Sequence, residues 1–465
     1  MSEDDIWKVL EPPQRYISLM EISTRMLKET QEPMVISIDA RAREQAEHYL
    51  GSEKNQELRY LLILWMCKLR AKPVTAVFVF DGPEVPYRAH GPFAVPFADD
   101  LVQFFQQLIR SQGFYVHEAT GDASVALWQL NKQVNAVMTE DVRVLVFGVI
   151  SLFHIAKFFE DFDTVAFFST EDLSQRNKRP VTPHSIFLLM ILMGSDYASG
   201  IQVLTAELAY ALANTALKTL LIFAAEDFAP LRLQEYLCTW KDALEDEIRH
   251  NTHEFLPSAL PDLADIIQTL QDFPNLHAVT HLAQPTHTQP MPFPVWLVQP
   301  PNLANVANVC QEVFDGAPAQ YIPEMLHHIW SAFIVGSLLN AECNRQACYD
   351  IRTSIRVTDV RIHTTTTIYR LNVHIGDTFC NRHVPERRIQ FWVPAAIVDL
   401  ILCSAIQDYQ IDLVVNTRRP IEYLKAKLLL LPPLSTVGII RLRHTLENET
   451  DLMNTEDNDI LKVEK

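Results

Sequence analysis

From Pro33 to Phe147, short apolar runs alternate with longer stretches in which apolar side chains recur every three to four positions. The runs VISI (35–38) and VFVF (77–80) contain β-branched or aromatic residues and, apart from Ser37, nothing polar, which predicts strands buried on both faces. Between them, ELRYLLILWMCKLRA (57–71) has the spacing of a helix, as do DLVQFFQQLIRSQG, which stops at Gly113, and SVALWQLN (124–131). FYVHEA (114–119), NAVMT (135–139) and RVLVFG (143–148) read as further strand-like runs. Strands that alternate with helices predict a parallel sheet with helices on both faces.

The second half follows other rules. WLVQPPNLANVANVCQEVF (296–314) and EMLHHIWSAFIVGSLL (324–339) read as helical, with Trp296 and Trp330 as core anchors, and the Pro-rich HLAQPTHTQPMPFP (281–294) reads as a linker. IRTSIRVTDVRIHTTTTIYRLNVH (351–374) alternates apolar and polar residues with period two, the pattern of antiparallel strands with one wet face. FWVPAAIVDLILCSAIQDY (391–409) then predicts a helix packed on that sheet, and residues 445–465 an acidic, disordered tail.

A chain of 465 residues with 48% hydrophobic and 21% charged residues has the composition of a multidomain globular protein. Thirty-nine Lys and Arg against 57 Asp and Glu give a formal charge of −18, so any nucleic-acid contact must be local rather than a property of the whole surface. Seven scattered cysteines argue for reduced thiols inside the cell, and Cys343 and Cys348, with no second pair to match them, for ordinary thiols rather than a zinc site. The adjacent His327 and His328 diverge on a helix and need no shared metal. MSEDDIWKVLEPP lacks the apolar core of a signal peptide, and no run reaches the ~18 apolar residues of a membrane span, which predicts a soluble protein.

In parallel sheets the chemistry gathers where strands end, so the residues that follow each strand matter most. They are acidic: Asp39 after VISI, Asp81 after VFVF, Asp122 after YVHEA, Asp141 after NAVMTE, and Asp196 after the apolar segment IFLLMILMG. One such acid is ordinarily a cap or a turn former. Five in consecutive elements would repel one another unless cations neutralised them.

These residues resemble the XPG-type structure-specific nucleases, which include flap endonucleases and eukaryotic Holliday-junction resolvases. The resemblance rests on Asp39, VFVFDGP (77–83), ATGDASVALWQLN (119–131), NAVMTEDVRVLVFG (135–148) and LMGSDYASGI (192–201), with IWKVLEPP similar to the family's opening segment, although Ser2 stands where the family has glycine. It covers about residues 1–205 and implies a PIN-like parallel-sheet nuclease core over residues 1–200, with the helical region 201–280 at the position where the family binds DNA; beyond it the residue pattern gives a linker with helices (281–345) and a small sheet-plus-helix module (346–430), which is similar to the chromodomain-like module of fungal junction resolvases. It also implies DNA substrates, a nuclear location, and hydrolysis by paired Mg²⁺ or Mn²⁺ ions ~3.5–4 Å apart, held by carboxylates.

The family pattern supplies seven carboxylates. Asp39, Asp81, Asp122, Asp141 and Asp196 match five of them, Asp122 standing where glutamate is usual; Ser124 and Arg143 occupy the other two. Five carboxylates and one guanidinium leave a formal charge of −4 where the family has about −7, and two unit charges 4 Å apart interact by ~4 kcal/mol at an effective dielectric of 20. Arg143 therefore opposes the metals it would adjoin. One alternative is that it serves as an internal counter-ion among Asp122, Asp141 and Asp196; the other is that it swings to solvent and leaves a weakened metal site.

The motifs with which the family grips DNA are also thinned. Of its glycine-rich turn after MGSDY only Gly200 remains, in Gly200-Ile201-Gln202-Val203-Leu204-Thr205. Its basic stretch after the VFVFDGP strand is reduced to Arg88 and His90, and residues 92–110 leave no room for a helical arch, which brings the chain nearer to the junction resolvases. Residues 201–260 hold four Lys or Arg against nine Asp or Glu, the wrong sign for a duplex. A local excess of arginine, at positions 352, 356, 361, 370, 382, 387 and 388, leaves two readings of the C-terminal module: a surface for nucleic acid or an acidic partner, and the solvated face of a small sheet. Three readings follow: a metal-free pseudo-nuclease that binds a DNA structure or a protein, a working endonuclease, and an interaction protein that does not bind DNA.

Overall fold

The computed structural model of the chain describes residues 3–10, 16–40, 55–85, 99–154, 163–174, 180–285, 295–316, 322–343, 355–363, 366–374 and 388–401. Its centre is a seven-stranded sheet. In chain order the strands are β1 (Tyr16–Ser18), β2 (Met34–Asp39), β3 (Val74–Phe80), β4 (Tyr115–Glu118), β5 (Ala136–Met138), β6 (Ser151–His154) and β7 (Thr164–Ser169), arranged β1-β7-β6-β5-β2-β3-β4. Strands β6, β5, β2, β3 and β4 run parallel, with Ile36 opposite both Ala76 and Ala136, while β7 and β1 close one edge antiparallel.

The period-two pattern explains why both faces are covered. Along β3, Val77 and Val79 belong to one core, whereas Ala76, Phe78 and Phe80 belong to the other. On the Val77 side lie α1 (Glu3–Leu10), α5 (Ala123–Leu130), α6 (Arg143–Val146), α7 (Thr170–Ser174) and α8 (Pro183–Met193), followed by α9 (Ala206–Leu212), α10 (Leu217–Asp227), α11 (Pro230–His250), α12 (Pro261–Thr269) and α13 (Leu276–Ala283). On the Phe78 side lie α3 (Asn55–Arg70), α4 (Asp99–Ser111), α14 (Leu303–Gly316) and the first half of α15 (Ile322–Cys343). A two-stranded hairpin, β8 (Gly194–Ser195) and β9 (Ala198–Ser199), follows α8. The second half of α15 and Leu27 of α2 (Leu19–Thr30) pack into a third core with the antiparallel sheet β10 (Ile355–His363), β11 (Thr366–His374) and β12 (Arg388–Pro394) and with α16 (Ala395–Ile401). Arg70, at the end of α3, is fully buried and donates to the carbonyls of Gln299 (2.7 Å) and Gly336 (3.1 Å), which ties the later helices to the sheet.

Several sequence expectations are corrected. RVLVFG is a helical turn, α6, rather than a strand: all four of its residues are buried, and a short run apolar on every side carries no period to distinguish the two states. FWVP is the end of β12, and the helix begins only at Ala395, after Pro394. The helix expected from Trp296 starts at Leu303, since Pro300 and Pro301 hold the preceding residues extended. His281, Leu282 and Ala283, read as linker, close α13; residues 286–294 lie outside the described residues, as do Cys348 and the acidic tail. SLFH and TVAFFS are the strands β6 and β7, which the sequence reading passed over. Trp296 is half-buried, its ring edge-on to Tyr115 at 4.9 Å, and Trp330 is likewise half-buried against Phe333. No single helix among the described residues is long and apolar enough to cross a membrane.

Candidate functional site

The chain lays β3 and β4 down on one side of β2, then returns to place β5 and β6 on the other, so the strand order reverses between β2 and β5. The crevice at the carboxyl ends of such a reversal is where α/β sheets place ligands. Asp39 is the last residue of β2, Asp81 follows β3, Asp122 lies between β4 and α5, and Asp141 lies between β5 and α6. Asp196 enters from the hairpin formed by Gly194–Ser195 and Ala198–Ser199.

Backbone geometry draws these loops together. Gly82 donates its N–H to the carbonyl of Gly121 (2.8 Å), and a Cβ on Gly82 would stand 1.8 Å from the carbonyl oxygen of Ala119, so only glycine permits the approach. Asp81 then accepts the N–H of Ala123 (2.7 Å) while Asp122 caps α5 by accepting the N–H of Ser124 (2.8 Å), and both carboxylates sit against the positive end of the helix dipole. Thr139 donates its hydroxyl to Asp39 (2.7 Å) and accepts the N–H of Asp141 (3.0 Å), joining β2 to the loop after β5.

Arg143 lies among three of these acids, Asp122, Asp141 and Asp196, and is 1% exposed. Its Nη1 donates to Asp122 (2.8 Å) and to the hydroxyl of Tyr197 (2.6 Å); its Nε and Nη2 donate to Asp141 (2.9 and 2.6 Å). Nη2 also donates to Ser124 Oγ at 3.1 Å and stands 3.9 Å from Asp196. The Ser124 hydroxyl shares its proton between Asp122, at 2.7 Å, and Asp141. Asp122, Asp141 and Asp196 are all buried, so the guanidinium's fork geometry is satisfied inside the protein rather than at its surface. Burial by itself would depress the Arg143 pKa, but Asp122 and Asp141, then Tyr197 and Asp196, outweigh it and hold the guanidinium well above its ordinary value. Among the described residues no group of three or more His, Cys, Asp or Glu side chains is arranged to hold a metal ion.

Tyr197, Thr139, His277 and His281 are the parts of the site that sequence reasoning missed. The Tyr197 hydroxyl accepts from Arg143 and donates to Asp122 (3.2 Å). His281 of α13 stacks on its ring (centroids 5.3 Å apart), and His277 meets His281 at 4.1 Å. Burial, then His277, pushes the His281 pKa down, with Asp122 opposing and Arg143 assisting. Tyr197 directly follows Asp196 and Thr139 lies two before Asp141, so adjacency was the available signal; nothing in the sequence connects α13 to the cluster.

Arg88 and His90 lie outside the described residues. Gly200 packs against Gly194: a Cβ there would stand 2.3 Å from the Gly194 nitrogen and the Leu192 carbonyl, so the fold requires glycine there on packing grounds alone. On the small sheet, Arg356, Arg361, Arg370 and Arg388 are exposed, and Arg361 lies 4.0 Å over the ring of Trp392. Arg352, Arg382 and Arg387 lie outside the described residues.

No protein-family model matches the chain, and neither does any curated protein sequence. Solved structures do. A eukaryotic junction-resolving enzyme, GEN-1, solved with sodium, aligns over 89% of this chain and 100% of its own at 19% identity, with a TM-score of 0.67. The Holliday junction-resolving enzyme GEN1, in complex with product DNA and Mg²⁺, aligns over 88% of this chain and 98% of its own at 19% identity, with a TM-score of 0.65. Human GEN1 with Holliday-junction DNA aligns over 91% and 99% at 14% identity, with a TM-score of 0.61. The chain thus has the fold of the GEN1 junction-resolving nucleases, which is the XPG-type nuclease fold that its sequence motifs resemble.

Proposed function

We propose that this protein is a nuclease scaffold whose carboxylate cluster is closed by its own arginine, and that it acts by binding branched DNA without cutting it. One observation carries the proposal: Arg143 is buried within hydrogen-bonding distance of Asp122 and Asp141. GEN1 has been solved with Mg²⁺ and with Mg²⁺ plus Mn²⁺. The residues of this chain do not fit such a pair. A hard divalent ion seeks carboxylate oxygens and keeps several of its waters, whereas here Asp122 and Asp141 are saturated by Arg143 and Ser124. A cation entering would have to expel the guanidinium from a pocket where its pairing already outweighs its burial.

What these residues do is hold the loops. The guanidinium joins the start of α5, the loop after β5 and the hairpin carrying Asp196, which supports a rigid strand-end surface that needs no added ion. The exposed arginines of the small sheet supply the charge for phosphate contact, with Trp392 as an aromatic face beside them. Labelled four-way junctions and flaps provide the test. The unmodified chain should retard them in gels yet leave them intact with Mg²⁺ or Mn²⁺, while a Ser124→Glu, Arg143→Asp variant should gain metal-dependent cleavage. Turnover by the unmodified chain that is lost in Asp141→Ala overturns the proposal, and absence of DNA binding removes its second half.

A further inference from the structure

The helices α10 and α11 carry a surface that the DNA-binding reading does not use. Along α10, Leu220 (50% exposed) and Phe223 (54%) lie three residues apart on the outward face, which continues to Asp227. Opposite them, Leu221, Ile222, Ala224 and Ala225 are buried in the core, so α10 carries large apolar side chains on its open side as well as on its covered one. Helix α11 packs against α10, and its exposed line begins at Leu231 (80%) and runs through Glu235, Asp242 and Asp246. Large apolar side chains held in water on a folded surface mark an interaction site when they cluster.

The electrostatics identify the partner. The four basic residues of this region are all engaged: Lys218 donates to Ser185 (3.0 Å), Arg232 lies 4.1 Å over the Phe228 ring, Lys241 donates to the carbonyl of Leu270 (2.6 Å), and Arg249 pairs with Asp265 (2.7 Å). Among the described residues no cation pairs with Glu226, Asp227, Glu235 or Asp242. The two packed helices thus carry exposed apolar side chains together with exposed carboxylates that no cation compensates. Such a surface repels a phosphate backbone and attracts a cationic one.

We propose that the α10–α11 face docks an amphipathic helix of a partner protein, its apolar positions seated on Leu220, Phe223 and Leu231 and its flanking Lys or Arg residues facing Glu226, Asp227, Glu235 and Asp242. Two apolar anchors three residues apart suit the one-turn repeat of a helix laid along α10. The acidic border selects for basic flanks and rejects acidic ones. The proposal is independent of Arg143: the chain can carry this partner whether or not it cuts DNA.

The test is fluorescence anisotropy of the full chain with a labelled synthetic helix of about 18 residues, long enough to hold its form, with leucines on one face and lysines on its flanks. Its glutamate-flanked isomer is the control. The expected result is saturable binding of the lysine peptide only, weakened about tenfold or more by Leu220→Ser with Phe223→Ser, and likewise by Glu235→Lys with Asp242→Lys. Ile266→Ser, which removes an exposed apolar side chain on α12, should leave binding unchanged, and circular dichroism of each variant confirms its fold. Equal binding by the Phe223 pair variant overturns the proposal, as does equal binding of the glutamate isomer. So does a photo-crosslinker at position 223 that attaches to a second copy of the chain or to its own residues 402–465 in place of the peptide.

Discussion

Replacing Arg143 by alanine removes a cation that is 1% exposed and leaves Asp122 and Asp141 facing each other across a buried pocket. Breaking a buried ion pair by deleting one partner destabilises by ~3–5 kcal/mol, since the remaining charge loses its compensation while still out of water. At ~2–4 °C per kcal/mol for a domain of this class, the melting temperature should fall by roughly 6–20 °C. Arg143→Lys should fall in between, because an ammonium supplies the charge but cannot span Asp122, Tyr197 and Asp141 as the planar fork does. The freed carboxylates should then accept a divalent cation. With Mn²⁺ at about a hundred times its dissociation constant, the alanine variant should regain about 2.7 kcal/mol, while the parent should gain nothing. Differential scanning calorimetry of the three proteins, with and without Mn²⁺, reads all of this directly. An alanine variant that melts within about 2 °C of the parent would refute the assignment of Arg143 as the internal counter-ion.

Other consequences are equally measurable. Asp399 of α16 is pushed up to about 6, first by burial, with the Tyr369 hydroxyl and Lys28 opposing; its neutral form therefore favours the folded chain below pH ~4, and that contribution, at most about 3 kcal/mol, is lost as pH rises through about 6. Chemical denaturation across this range should show the loss, and Asp399→Asn should flatten it. His154, stacked on Trp7 at 4.4 Å, is held down to about 4 by burial, so its effect has the opposite sign: stability falls as pH drops below the ordinary histidine value of 6.5. His154→Gln should remove that part of the acid sensitivity. Charge reversal of Arg356, Arg361 and Arg370 should weaken junction binding and reduce the slope of log affinity against log salt by up to about 2.7, if each contacts one phosphate.

The legible parts of the molecule were those with a period or a motif. VISI and VFVF are β2 and β3 side by side and parallel, the segment 57–71 is α3, and Gly113, with φ +76°, ends the turn after α4. The five aspartates were legible as a group because each ends or follows a strand or follows a buried helix, and strand order then brings their loops to one crevice. What the sequence hid was long-range or aperiodic. RVLV is buried on all sides and α8 has no polar face, so neither carries a period to show what it is. The stack of His277 and His281 on Tyr197 depends on α13 returning to the site, eighty residues of chain after Tyr197, a contact that no local pattern encodes.

Crystals of the unmodified protein grown with added Mn²⁺, with data collected at the manganese absorption edge, decide whether Arg143 stands in place of the metals. No anomalous peak should appear among Asp39, Asp81, Asp122, Asp141 and Asp196, and density for the Arg143 guanidinium should be continuous between Asp122 and Asp141. Two peaks ~3.5–4 Å apart in that crevice, with the arginine side chain displaced toward solvent, would contradict that placement of Arg143.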